Sequence, residues 1–344
     1  MWTKKILAAA IAVSFGWAIG SAAPAAAGEK VEWNVSLWGN KRAASAHIES
    51  LATMVAERTG GDFTIKIHYG GALSAPKENI DGLKIGAFEA ALVCGFYSPG
   101  KLPASMALVL PFLPINSLDA QEKVHEVFFA HPALVREFAG WNARVVSPTV
   151  LPDYKVMGKG EPPVTLEGWK GMRVRAGGGQ GQAVAKLGAI PTSMPSSEIF
   201  TGMERGLLDA VALPFSYGFS AFRVDELSSW YIDNLSLGGV NCPLTSSTTA
   251  WNALPADYQK LIDELRPKAL AAQKASHREA DDKNVPMFAQ KGIKAIKLSD
   301  DVLAEIARIG GTPVWEEWIA DAESKGIPGR ELLDLILATA KSSS

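Results

Sequence analysis

The chain has 344 residues, 47% of them hydrophobic, with 34 Lys and Arg against 36 Asp and Glu and a formal net charge of -2. That length is enough for two domains. The near balance of charge excludes a nucleic-acid surface built on basic excess and an acidic disordered tail.

The N-terminus reads as an export signal. Lys4 and Lys5 form a basic start, Ile6 to Ile19 is a short apolar stretch rich in small residues, and Ala25-Ala26-Ala27 offers a cleavage site. Residues 1–27 are therefore expected to be removed, leaving a mature chain from Gly28 outside the cytoplasm; the alternative is a retained N-terminal anchor. No other stretch is long and apolar enough to span a bilayer. Cys94 and Cys242 are the only cysteines. The compartment permits a disulfide, but apolar, strand-like surroundings suit buried thiols equally, and we expect them unpaired.

Val31 to Trp38 alternates as a strand, with Val31, Trp33, Val35 and Leu37 on one face. Ala44 to Thr59 carries apolar residues at helical spacing and stops at Gly60-Gly61. Phe63 to Tyr69 is a second strand, Gly70 to Leu73 a turn, Pro76 to Gly86 a helix, and Ala90 to Cys94 a third strand. Leu108 to Ile115, with Pro111 and Pro114, is apolar and kinked. Helices are predicted over Leu118 to Phe129 and Pro132 to Gly140, then strands over Ala143 to Ser147 and Asp153 to Met157, the second carrying the chain into another domain.

The stretch from Leu166 to Pro214 reads strand, helix, strand, helix, strand. Met172 to Ala176, Ile190 to Met194 and Ala210 to Leu213 are the strands; Gln180 to Leu187 and Ser196 to Arg205 are the helices. Such alternation predicts an α/β fold with a parallel sheet covered by helices. Ligands of such sheets sit beyond the carboxyl ends of the strands. Arg175 ends its strand just before a glycine-rich turn, where a planar guanidinium can hold a carboxylate by two parallel hydrogen bonds. The alternative is a solvated surface arginine. Beyond this block, Phe215 to Val224 is mixed loop and helix, and Trp230 to Leu235 and Leu244 to Trp251 read as strands. Pro255 to Ala289 is a long helix that Pro267 and Pro286 should kink or interrupt. Ile293 to Leu298 is a strand, and helices over Asp300 to Lys325 and Gly329 to Lys341 close the chain.

Catalytic motifs are missing from the pattern. There is no G-x-S-x-G elbow. His125-Glu126 followed by His131 fails the H-E-x-x-H spacing because position 129 is Phe, and His47, His68 and His277 are scattered. Neither cysteine sits in a C-x-x-C pair. Gly177-Gly178-Gly179-Gln180-Gly181 resembles a phosphate-cradling turn, yet the G-x-G-x-x-G register ends on Gln182 or Val184. We therefore expect no catalytic residues, no metal and no cofactor.

The basic strand ending in Arg175, the run Gly188-Ala189-Ile190-Pro191-Thr192, and Gly206-Leu207-Leu208-Asp209 leading to Pro214 resemble the DctP-like solute-binding proteins of tripartite ATP-independent periplasmic (TRAP) transporters. Thr59-Gly60-Gly61, Gly71-Ala72-Leu73 and the stop at Gly86 resemble the family's N-terminal domain. The likeness covers nearly the whole mature chain.

It implies a two-lobed periplasmic binding protein, each lobe a sheet flanked by helices, with a long helix packing across both. The lobes would be 28–152 plus 241–280 and 153–240 plus 281–344. Arg175 would grip the ligand's carboxylate, and Lys155 would supply a second positive charge, unless it is a strand-end lysine in solvent. The family's acidic or amide residue near the last strand of the block is replaced by Ala212-Leu213-Pro214, which argues against sialic-acid-like ligands. Trp38, Phe96, Tyr97, Phe215, Tyr217 and Phe219 cluster at predicted strand ends, which favours an apolar ligand body. Asn40 and Ser197 are candidate hydrogen-bonding partners by position. The implied function is capture of an organic acid, aromatic or dicarboxylic, by a monomer that delivers it to the membrane permease of a TRAP transporter, with no nucleic-acid partner. The alternatives are an exported enzyme acting on a small acid and a sensing module for a membrane receptor.

Overall fold

The computed structural model describes residues 30–343 and Trp2, so the predicted export signal lies almost wholly outside the described residues. The first sheet is built from β1 (Val31–Ser36), β2 (Phe63–His68), β3 (Ala90–Leu92) and β4 (Ala143–Ser147). The second uses β5 (Tyr154–Gly158), β6 (Arg173–Arg175), β7 (Ile190–Thr192), β8 (Ala210–Pro214) and β9 (Trp230–Ile232). The chain then returns to the first sheet with β10 (Leu244–Ser247) and to the second with β11 (Lys294–Ile296). The orders are β2-β1-β3-β10-β4 and β11-β9-β5-β8-β6-β7. The block predicted from alternation is parallel, β6 pairing in parallel with both β7 and β8, while β5 runs antiparallel to β8. The chain thus crosses between sheets after β4, after β9 and after β10, which makes two lobes joined by several segments.

The helices follow from capping and burial. Helix α1 (Ala46–Arg58) lays Ile48, Leu51 and Val55 on the sheet face that carries Trp33 and Val35. Helix α2 (Asn79–Ile85) ends at Gly86 with φ +70, a left-handed cap that glycine adopts without steric cost. Helices α3 (Leu118–Ala130) and α4 (Pro132–Ala139) cover the first sheet. Helices α5 (Gly178–Lys186), α6 (Ile199–Glu204) and α7 (Tyr217–Ala221) belong to the second.

Three predicted elements differ. The strand expected over Leu244 to Trp251 stops at Ser247, whose hydroxyl accepts from the Ala250 amide and caps α8 (Thr248–Ala253). The long helix α9 (Ala256–Gln290) runs through Pro267 and Pro286 without a break. A mid-helix proline costs about 3 kcal/mol, and burial of Ile262, Leu265, Leu270 and Phe288, much of it against α1, opposes that cost. This helix touches the first lobe through α1 and the second through α7 and β11. The helix expected over Asp300 to Lys325 divides into α10 (Asp300–Gly310) and α11 (Thr312–Ser324). At the junction Gly310 lies against the Ala183 backbone, where a Cβ would come within 3.3 Å of the Ala183 Cα. Helices α12 (Gly329–Ser342) and α11 share a core with Leu83, Val124 and Phe128.

Cys94 and Cys242 are bonded, contrary to the expectation of free thiols. Cys94 follows β3 and Cys242 precedes β10, and these strands pair antiparallel with Leu92 opposite Leu244, so the two Cα atoms lie 4.1 Å apart. The partners are 148 positions apart in sequence, and only the sheet pairing brings them together.

Candidate functional site

A cavity lies between the lobes, walled by Trp38, Arg42 and Phe96 from the first and by Tyr154, Ser196 and Tyr217 from the second. Phe222, Thr149 and Cys242 also line it. Its volume of about 20 Å³ would hold little more than one water, so the lobes are shut on one another. Hollows of about 460 and 890 Å³ also exist, but both are lined by the first lobe and its helices alone.

Arg175 is only 1% exposed and is not a solvated surface residue. Its Nε and Nη2 donate to the Met194 carbonyl at 3.1 and 3.0 Å, Nη1 donates to the Ala212 carbonyl at 3.0 Å, and Nη2 reaches Ser196 Oγ at 3.4 Å. These bonds fix the guanidinium directly behind Ser196, with its Cζ 5.6 Å from the Phe96 ring centroid. Tyr97 braces the same corner: its hydroxyl lies 3.1 Å from Ser196 Oγ and accepts from the Ser196 amide. The buried cation and a hydroxyl from each lobe therefore meet at one edge of the cavity.

The glycine-rich turn serves packing. A Cβ on Gly177 would fall 2.9 Å from Phe96, one on Gly178 within 2.9 Å of Met106 and Val109, and one on Gly179 2.8 Å from the Val109 carbonyl. Only glycines let the start of α5 sit this close to the first lobe.

The other predicted residues separate into two groups. Trp38, Phe96, Tyr97 and Tyr217 gather at the cavity. Asn40 is exposed, and its contribution is its carbonyl, which accepts from Arg42 Nη1 at 2.9 Å. Ser197 is exposed too, while its neighbour Ser196 lines the cavity. Phe215 is half-buried and packs on Tyr231 and Phe288 against the core of the second lobe, with Phe219 beside it. Lys155 points away: adjacent strand residues face opposite sides of a sheet, and Tyr154 takes the cavity side. The Lys155 ammonium is held by the Asp233 carbonyl and, at 3.2 Å, its carboxylate, over the Phe215 ring and beside a separate hollow of about 210 Å³. Sequence reasoning missed Arg42, Thr149, Tyr154, Ser196 and Phe222, none of which stands out by spacing.

Below the cavity floor, Thr149 Oγ1 donates to the Cys242 carbonyl at 2.6 Å and lies 3.1 Å from His47 Nε2. His277 Nε2 meets the Val150 carbonyl at 3.0 Å, and its ring packs on Tyr217. Burial pushes the His47 pKa down to about 3 and that of His277 to about 4, so both are neutral near pH 7. Burial likewise raises the Tyr154 and Tyr217 hydroxyls above the usual phenol range, keeping them as neutral donors. Among the described residues no group of three or more His, Cys, Asp or Glu is placed to hold a metal ion.

The pattern of the bacterial extracellular solute-binding protein family 7, also called DctP, matches residues 36–321. The chain belongs to this family. One relative is the monocarboxylate 2-oxoacid-binding periplasmic protein of a Nostoc species, 22% identical over 303 residues that cover 86% of this chain and 82% of the relative. Among solved structures, a TRAP solute-binding protein from Rhodoferax ferrireducens in complex with copurified benzoate superposes with a TM-score of 0.83 at 21% identity, covering 91% of this chain and 98% of the other. A marine-metagenome TRAP solute-binding protein specific for aromatic acid ligands, from an unidentified microbe and in complex with 3-hydroxybenzoate, gives 0.80 at 19% identity, covering 92% and 99%. These likenesses establish the two-lobed fold of TRAP solute-binding proteins. No helix among the described residues is long and apolar enough to cross a membrane.

Proposed function

We propose that this family member is a periplasmic receptor, not an enzyme, that closes its lobes on an organic acid with an apolar or aromatic body. The acid would then pass to the permease of a TRAP transporter. The observation that carries the reading is the buried Arg175 guanidinium, locked behind Ser196 at the edge of an interlobe cavity walled by aromatic rings. In the open form the ligand's carboxylate meets Ser196 and the arginine; closure then removes water from the pair and strengthens it. Trp38, Phe96, Tyr217 and Phe222 would cover the ligand's apolar body. The lobes divide near residues 152 and 241, where the chain crosses between sheets, and the receptor works as a monomer. The 2-oxoacid-binding relative and the benzoate and 3-hydroxybenzoate complexes support a carboxylate ligand.

The test is a thermal-shift panel of aromatic, aliphatic and sugar acids, with mass spectrometry of whatever copurifies. Aromatic or apolar-bodied acids should raise the melting temperature and be recovered unchanged after incubation. A response to sugar acids alone, or a chemically altered acid, would overturn the reading.

A further inference from the structure

The cavity holds a second cation. Arg42 lies just before α1, in the first lobe, with its Cζ 4.4 Å from the centroid of the Trp38 ring and 5.7 Å from that of Phe222. Those two rings are nearly parallel, 20° apart in plane, and the guanidinium rests on both. One nitrogen is fully committed: Nη1 donates to the carbonyls of Trp38 at 2.8 Å and Asn40 at 2.9 Å. The other, Nη2, is buried without any hydrogen-bond partner. The Glu49 carboxylate is engaged elsewhere, with Lys41 at 3.1 Å, Ser45 at 2.7 Å and Tyr69 at 2.9 Å.

A guanidinium that spends one terminal nitrogen on positioning and leaves the other buried and unpaired is an incomplete site. Arg175 is the reverse case, with four of its N–H···O contacts already made to the protein. Arg42 lines the cavity from the first lobe, and Arg175 stands behind Ser196, which lines it from the second. Lys155, the residue from which a second positive charge would be expected, is engaged elsewhere with Asp233.

We propose that Arg42 is a second ligand anchor, whose free Nη2 takes an oxygen acceptor at the end of the ligand away from the carboxylate held near Arg175. The preferred cargo is then a bifunctional acid, best a diacid and next a hydroxy acid, over a plain monoacid. This rests on the organic-acid reading above and narrows it.

The experiment is calorimetry with benzoate, 3- and 4-hydroxybenzoate, and benzene-1,3- and 1,4-dicarboxylate. A charge-assisted hydrogen bond corresponds to about tenfold or more in affinity. The wild-type protein should therefore bind at least one bifunctional acid about tenfold or more tightly than benzoate. Arg42→Gln should lower the affinity for that bifunctional acid by about tenfold more than it lowers the affinity for benzoate. Arg42→Lys should retain part of it for the dicarboxylates. Benzoate binding as tightly as every bifunctional acid overturns the proposal even if no variant folds. So does an Arg42→Gln protein that loses benzoate and bifunctional acids equally. Either result leaves the organic-acid reading standing. If the wild-type protein binds none of the five, the organic-acid reading falls first and this inference with it.

Discussion

Arg175→Ala tests the anchor most directly, and its cost can be worked from the contacts. The side chain supplies two N–H groups to the Met194 carbonyl and one to the Ala212 carbonyl. Ser196 Oγ keeps the Tyr97 hydroxyl as a partner when the arginine goes. Two carbonyls thus lose their side-chain donors, at about 1–3 kcal/mol each, or roughly 2–6 kcal/mol of ligand-free stability. Loss of the charged hydrogen bond to a carboxylate, about 1.5–3 kcal/mol, should separately weaken binding about tenfold to a hundredfold. Urea unfolding without ligand reads the first effect, and calorimetry at low temperature, on protein shown to be folded by circular dichroism, reads the second. Arg175→Lys keeps the charge but not the fork, and should fall between wild type and Ala in both. A folded Arg175→Ala protein with wild-type affinity for its acid would refute the assignment of the anchor, whatever its stability.

Ser196→Ala should weaken acid binding several-fold, while Ser197→Ala should not, since only Ser196 faces the cavity; equal effects in calorimetry would contradict the geometry. Gly179→Val places a side chain where a Cβ already lies 2.8 Å from the Val109 carbonyl. It should hold the lobes apart, seen as a larger radius of gyration with ligand in small-angle scattering and a faster off-rate. Replacing both cysteines with serine frees a loop of 148 positions, for which the chain-entropy relation gives about 5 kcal/mol; a loss under about 1 kcal/mol in urea would count against that relation here. For pH, His47, His125 and His277 have folded pKa values pushed down to about 3, 3 and 4 by burial, so below about pH 6.5 the unfolded chain takes up their protons first and stability falls. Burial raises Glu137 to about 7, so the folded state protonates first there and stability rises as pH falls from 7 to 4.5, opposing one of the three histidines. Two net protons leave a loss of roughly 2–3 kcal/mol per pH unit between pH 6 and 5, at 1.36 kcal/mol per proton. Unfolding curves that are flat across that interval would contradict this balance.

Local pattern alone determined most elements of this chain. Alternation marked β1, glycine stops ended α1 and α2, and the block from Leu166 to Pro214 announced a parallel sheet with Arg175 at a strand end. These are properties of neighbouring residues, set by the periods of strand and helix. What faces the cavity was decided by tertiary structure. Tyr154 and Lys155 differ by one position on a strand, where a shift of one residue moves a side chain to the other side and register depends on partners far along the chain; Ser196 and Ser197 are neighbours on a short 3-10 turn, and only the packing of that turn decides which of them meets the cavity. The disulfide needed β3 and β10 to pair across 148 positions. Phe215 and Phe222 carry the same side chain, yet one packs against the core of the second lobe and the other supports Arg42. Composition identifies an aromatic ring or a cation, but which of them converge on one small space is fixed only when two lobes, folded from interleaved segments, close against each other.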